Sequence, residues 1–248
     1  MDRLIYTALT GMDAAMNRQR AVANNLANAS TPGFRGEEFA VTPATLKGPS
    51  LEARAMAQGA VRGANMALGS INDTGRALDI AVQGEALIAL QVADGGEVYT
   101  RRGDLRVTPN GLVENGDGLP VMSEGGPLTV PAGSRISFGD DGSVFATDLG
   151  APGAQPELVG RIKLADPDGS PLVKGIDGFL KVPGGGVLPE DPTARITTGA
   201  LEGSNINTAA TLVEMIEAQR AFEQRSKMIA TAGELDAAGA RLMALGGS

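Results

Sequence analysis

The sequence predicts an α+β protein in which N- and C-terminal α-helices form a coiled-coil-like inner domain, with a mainly antiparallel β body between them. Three observations carry that expectation. Residues 1–31 contain no proline and Gly11 as their one glycine, and residues 204–248 contain no proline. Residues 36–203 hold 13 of the 14 prolines and 29 of the 35 glycines. Both ends repeat apolar residues at helical spacing, whereas the middle repeats turn signals at strand spacing. The expected division is an N-terminal helix over 1–35, an extended connector over 36–75, a β-rich outer domain over 76–203 and a C-terminal helix over 204–248.

In the first helix Ile5, Ala8, Met12, Ala15, Gln19, Val22 and Leu26 alternate spacings of three and four, the seam of a coiled coil or a narrow bundle contact. Leu9, Met16 and Ala23 are expected to widen that stripe on one side. Small side chains at Ala8 and Ala15 allow a close helix–helix approach. The helix is expected to stop before Thr31-Pro32-Gly33, because the residue before a proline avoids the α region. Residues 36–75 mix alanine, glycine and polar residues with Pro43 and Pro49, fit neither template, and read as an extended connector with room for short strands.

The body begins with Ala77–Gln83 and Leu87–Val92, two strands separated at Gly84, and Asp94-Gly95-Gly96 turns the second into Glu97–Arg101. Further strands are expected at 105–108, 112–114, 119–122, 128–130, 135–138, 143–146, 157–164, 178–182 and 194–201. Pro109-Asn110-Gly111, Asn115-Gly116-Asp117-Gly118, Asp140-Asp141-Gly142 and Asp168-Gly169 mark turns at the intervals of an all-β sandwich or barrel. The final helix starts after Ser204-Asn205-Ile206-Asn207-Thr208, a run of capping residues. Met215, Phe222 and Ile229 recur every seven residues, and Leu235 and Leu242 continue the stripe shifted by one position. Leu212, Ile216 and Ala232 flank it, with Glu214, Glu217, Arg225 and Lys227 on the opposite face. Periodicity alone leaves open whether the helices cover the body of their own chain or pack between copies.

Histidine and cysteine are absent, which removes the commonest neutral-pH base, the soft metal ligands and disulfides. The net charge of −8 is concentrated in the middle of the chain. With no clustered Lys and Arg, nucleic acid is not an expected partner. No run of roughly 18 apolar residues offers a membrane span, so no direct membrane insertion is expected. The opening Met1–Tyr6 lacks the layout of a cleaved secretory signal. Asp166, Asp168 and Gly169 resemble the start of a calcium loop but lack its spaced ligands. Asp140 and Asp141 point apart as neighbours, and Gly184–Gly186 lacks the following Lys-Ser/Thr of a phosphate loop. No catalytic, cofactor-binding or metal residues are expected, and no enzyme activity.

Four segments do form a pattern. Asn24-Asn25-Leu26-Ala27-Asn28-Ala29-Ser30-Thr31-Pro32-Gly33-Phe34-Arg35 resembles the N-terminal signature of the bacterial flagellar rod and hook family. Leu201-Glu202-Gly203-Ser204-Asn205 through Met215–Glu223 looks like that family's C-terminal block, and Leu78–Val82 and Tyr99-Thr100-Arg101-Arg102-Gly103 match within the body. Ala86-Leu87-Ile88 departs from the adjacent aromatics common in the family. The resemblance implies a structural subunit of the proximal rod, with the distal-rod branch as the near rival. Outside the family, the alternative is a β binding module oligomerised by its terminal helices. The family implies helical polymerisation into a hollow axle that crosses the periplasm and transmits torque from motor to hook. Its implied partners are further copies, other flagellar rod proteins and the type III export apparatus, with no cofactor and no cleaved signal peptide. The expected assembly interface comprises Ile5, Ala8, Met12, Ala15, Val22, Asn24, Asn25, Leu26, Leu212, Met215, Ile216, Phe222, Ile229, Leu235 and Leu242. Isolated helices of this length are marginal in water, so the ends are expected to order fully only on assembly.

Overall fold

Long helices occupy both ends, where glycine and proline are scarce. A computed structural model describes residues 2–45, 55–150, 153–175 and 177–245. In chain order these form α1 (Asp2–Ala27), β1 (Glu37–Thr45), β2 (Ala55–Ala64), β3 (Ile71–Asp73), β4 (Ile80–Val82), β5 (Leu87–Gln91), β6 (Glu97–Thr100), β7 (Arg106–Val107), β8 (Val113–Glu114), β9 (Met122–Ser123), β10 (Gly126–Pro127), β11 (Ser134–Phe138), β12 (Ser143–Asp148), β13 (Glu157–Arg161), β14 (Leu164–Ala165), β15 (Val173–Lys174), β16 (Leu180–Lys181), β17 (Ile196–Thr198), β18 (Ala200–Glu202) and α2 (Thr208–Leu245). They divide into two compact units. One holds the helices with β1 and β2; the other holds Asn28–Gly36 and Gly63–Ile206.

In the helical unit, β1 and β2 pair as a two-stranded ribbon in a stretch that reads as a connector. The strand signal is weak because β2 is mostly alanine, glycine and polar residues, with Val61 its one branched residue and no aromatic. Close packing explains that composition. A Cβ at Gly59 would come within 2.6 Å of the Phe39 ring and 2.9 Å of Ala14, so only glycine lets the ribbon lie on α1 there. Asn17 Nδ2 donates to the Gly59 carbonyl at 3.3 Å. The second helix is capped as its composition predicts: Asn207 Oδ1 accepts the Ala210 N–H at 3.1 Å, satisfying one of the free first-turn donors.

In the second unit, β14-β5-β6-β16-β15 form a five-stranded antiparallel sheet. Both faces of β5 are covered. Ile88 and Leu90 join a large core cluster with Val98, Leu105, Val113, Val121 and Ile162, while Leu87 and Ala89 join a second with Tyr99, Leu180 and Leu188. A strand buried on both faces reads as a continuous apolar run rather than an alternating one, which is the pattern of Leu87–Leu90. The meander β11-β12-β13 contributes Ile136, Phe138, Val144 and Ala146 to the large cluster. Glycines at positive φ close the expected turns at Gly111, Gly142 and Gly169.

Several strands differ from expectation. The 128–130 strand lies at Gly126–Pro127, the 157–164 run breaks into β13 and β14, and the 194–201 run breaks at Gly199 into β17 and β18. Gly199 sits at φ 74°, and glycine adopts that conformation without strain. Strands β3 and β15 carry few apolar residues and no alternation, so composition does not mark them. Asp166 lies in a turn, its Oδ1 accepting the Asp168 N–H at 2.9 Å. Asp141 Oδ1 likewise accepts the Ser143 N–H at 3.0 Å.

Candidate functional site

Two groups of residues stand out, one in each unit. In the helical unit α1 and α2 pack on each other. The inward stripe of α1 contains the buried Ala15 and Val22 and the half-buried Ala8, Met12, Gln19 and Leu26. On α2, buried Thr211 and Ala218 and half-buried Met215, Phe222, Arg225, Ile229 and Ala232 alternate spacings of four and three. Arg225 therefore lies on the packed stripe and not on the opposite face. Its Nε would stand 3.8 Å from a Cβ at Gly11, an ordinary van der Waals distance, so the long side chain passes over α1 there.

The α1 stripe broadens in the direction opposite to the one expected. Leu9, Met16 and Ala23 are exposed, while Ala14 and Ala21 are buried, because the ribbon lies over that side. Three residues expected in the assembly interface are also exposed: Leu212, Ile216 (50 %) and Leu235 (62 %), with Val213 and Met228 beside them in sequence. Asn25 is turned inward. Its Oδ1 accepts the Glu37 N–H at 2.7 Å and its Nδ2 donates to the Glu37 carbonyl at 3.0 Å, so the side-chain amide acts as a strand partner for β1. Asn24 Nδ2 donates to Glu37 Oε1 at 2.5 Å. The side chains of Ile5 and Leu242 lie outside the described residues.

In the second unit, residues far apart in sequence converge on Glu202, which is 1 % exposed. Its Oε2 accepts Arg101 Nε at 2.6 Å, its Oε1 faces Arg35 Nη1 at 2.8 Å, and Oε1 also accepts the Gly69 N–H at 2.7 Å. Arg101 donates further to the carbonyls of Val82, Gly84 and Ala86, which fastens the bend between β4 and β5. Arg35 donates to the Ala67 carbonyl, and its Nε is buried without a hydrogen-bond partner. Burial is the main cause holding the Arg35 guanidinium below its ordinary range, and the nearby Arg101 cation adds to it while Glu202 opposes it. Gly33 makes this convergence possible. It has φ 67°, and a Cβ there would lie 2.3 Å from the Arg101 carbonyl carbon. Gly33 N–H donates to the Glu202 carbonyl at 2.7 Å.

Known proteins match the chain at both ends and in the body. Residues 5–35 match the family described as flagella basal body rod protein, residues 81–146 the flagellar hook protein FlgE/F/G D1 domain, and residues 197–242 the flagellar basal body rod FlgEFG protein C-terminal family. The flagellar basal-body rod protein FlgF of Escherichia coli K12 is 40% identical over 237 residues, covering 93% of this chain and 94% of the relative. The chain belongs to the FlgF family of flagellar basal-body rod proteins. FlgF of Salmonella typhimurium LT2 is 38% identical over 99% of this chain and 100% of its own, whereas the rod protein FlgG of Bacillus subtilis is 28% identical over 95% and 97%.

Each family match contributes one member of the buried triad: Arg35 closes the first, Arg101 lies in the second, and Glu202 in the third. Within the second unit, the parts of the three matches that carry these residues are thus neighbours in space. Their charged residues stand within the segments that carry the resemblance, yet nothing in sequence pairs Glu202 with partners 101 and 167 positions away.

Proposed function

We propose that the chain is a structural subunit of the proximal flagellar rod, polymerising with copies of itself and with other rod proteins into a hollow, torque-bearing axle across the periplasm. The observation that carries this reading is near-full-length similarity to FlgF proteins at 38–40% identity, against 28% for FlgG. The helices supply the means. Their packed stripes leave Met12, Met215, Phe222 and Ile229 half-buried, and Leu212, Ile216 and Leu235 stand in water. Apolar surface of that kind is stabilised by burial against a further copy, at about 25 cal/mol per Å². A head-to-tail contact that does not close on itself extends into a filament. In this reading the two helices act as a coiled-coil-like inner domain, the body has no catalytic role, and the seam residues form the assembly interface.

Export through the flagellar type III apparatus without a cleaved signal belongs to the same proposal. A chain without cysteine can be threaded unfolded and refold with no disulfide to form. No described helix is long and apolar enough to cross a membrane.

The test is assembly in cells. Met12→Asp and Phe222→Asp each place a charge on the packed helix stripe; both are expected to abolish rod assembly while the purified body retains its cooperative unfolding. Normal motility in both variants would overturn the proposal. Labelling the chain in intact basal bodies checks the position, with signal expected at the motor-proximal end of the rod.

A further inference from the structure

Asn205 spends its whole side-chain amide on places where the chain changes units. The chain crosses between units after Ala27, Gly36, Arg62 and Ile206. Asn205 Oδ1 accepts the Gly36 N–H at 2.8 Å, and its Nδ2 donates to the carbonyls of Asn65 at 2.7 Å and Ala67 at 2.9 Å. One N–H facing the oxygen and two carbonyls facing the nitrogen leave a single orientation for the amide. The backbone completes the ring: Asn205 N–H donates to the Phe34 carbonyl at 3.2 Å, and Asn65 N–H to the Gly36 carbonyl at 2.7 Å. Gly36, Asn65 and Asn205 each lie within three residues of a crossing.

Neither neighbouring feature explains this arrangement. The Glu202 triad reaches the backbone at Ala67 and Gly69 through Arg35 and Glu202, and the Asn207 cap serves the first turn of α2. Glutamine would carry the amide one methylene too far, serine has too few polar atoms, and aspartate would set a carboxylate against two carbonyls. Chain segments at such crossings, held by backbone bonds alone, open locally at little cost. A side chain that ties its own segment to two others makes their opening a joint event.

We infer that Asn205 is a positioning residue that pins three segments of the second unit to one another where the chain enters or leaves it, so that none of them peels away from that unit under load. This rests on the reading of the protein as a torque-bearing subunit, and the test separates the two. Native-state hydrogen exchange is measured on the purified full chain carrying Asn205→Ala, with Ala89 and Gln91 amides in the central sheet as references. Exchange at Gly36 and Asn65 is expected to accelerate roughly tenfold or more, the ratio of one lost hydrogen bond, with the references unchanged. In cells the variant is expected to assemble rods and swim in dilute medium but to lose speed disproportionately in viscous medium. If the references also lose protection, Asn205→Asp is read in the same way, since it keeps the Gly36 bond and removes the two donors. Unchanged exchange at Gly36 and Asn65 overturns the pin whatever the cells do. Faster exchange with wild-type swimming at every viscosity overturns the mechanical role and leaves the rod reading intact. Normal motility in Met12→Asp and Phe222→Asp removes that reading without touching the exchange result.

Discussion

Glu202 lies between two guanidiniums at 2.6 and 2.8 Å, with Arg35 4 % and Arg101 2 % exposed. Removing one partner of such a cluster leaves uncompensated charge in a low-dielectric interior, at a cost of about 3–5 kcal/mol. Glu202→Gln is therefore expected to destabilise the body by roughly 3 kcal/mol in urea unfolding. Tyr99 gives a test by pH. Its hydroxyl donates to Glu97 Oε2 at 3.0 Å and accepts the Leu188 N–H at 2.7 Å. Burial pushes this phenol up to about 12, with the Leu188 N–H opposing and Glu97 assisting. The folded protein then keeps a proton that the unfolded chain releases from about pH 10. Stability from this group is complete below that value and falls as pH rises toward about 12. Tyr99→Phe should flatten this alkaline limb, read as the difference in urea midpoint between about pH 9 and about pH 11.

At the scale of the element, the helices hold Met12, Met215, Phe222 and Ile229 half-buried on one face, while Leu212, Ile216 and Leu235 stand exposed on another. Ala218 is 1 % exposed, and Ala218→Asp is expected to cost about 3 kcal/mol or more in urea unfolding by burying an unpaired charge. Ile216→Asp lies on the exposed face and should change the stability of the isolated chain by less than about 0.5 kcal/mol, yet prevent assembly; sedimentation of purified chain beside a motility assay separates the two effects. Much of the α1–α2 stripe is only half-buried, whereas β5 is buried on both faces. Amides of α1 and α2 in dilute solution are therefore expected to exchange faster than those of β5 and β6. Equal protection throughout would show that the ends need no neighbour to order.

For the whole molecule, the sequence by itself determined the two terminal helices, the end of α1 before Thr31-Pro32-Gly33, the start of α2 at the capping run Ser204–Thr208 to within a residue, the hairpin at Asp94-Gly95-Gly96 and the family. These are local signals: spacing along a helix, a capping side chain, a proline, a glycine turn. The ribbon β1–β2 was not legible, because alanine and glycine mark a strand only when the helix that requires their small size is in place. The direction in which the α1 stripe broadens was hidden for the same reason, since Ala14 and Ala21 outrank Leu9 and Met16 only once the ribbon lies on them. The tertiary structure alone decided that Arg35, Arg101 and Glu202 meet, and that Asn205 bonds to Gly36, Asn65 and Ala67. Charge pairing and amide hydrogen bonding act over about 3 Å of space with no regard for separation along the chain, so no periodicity records them.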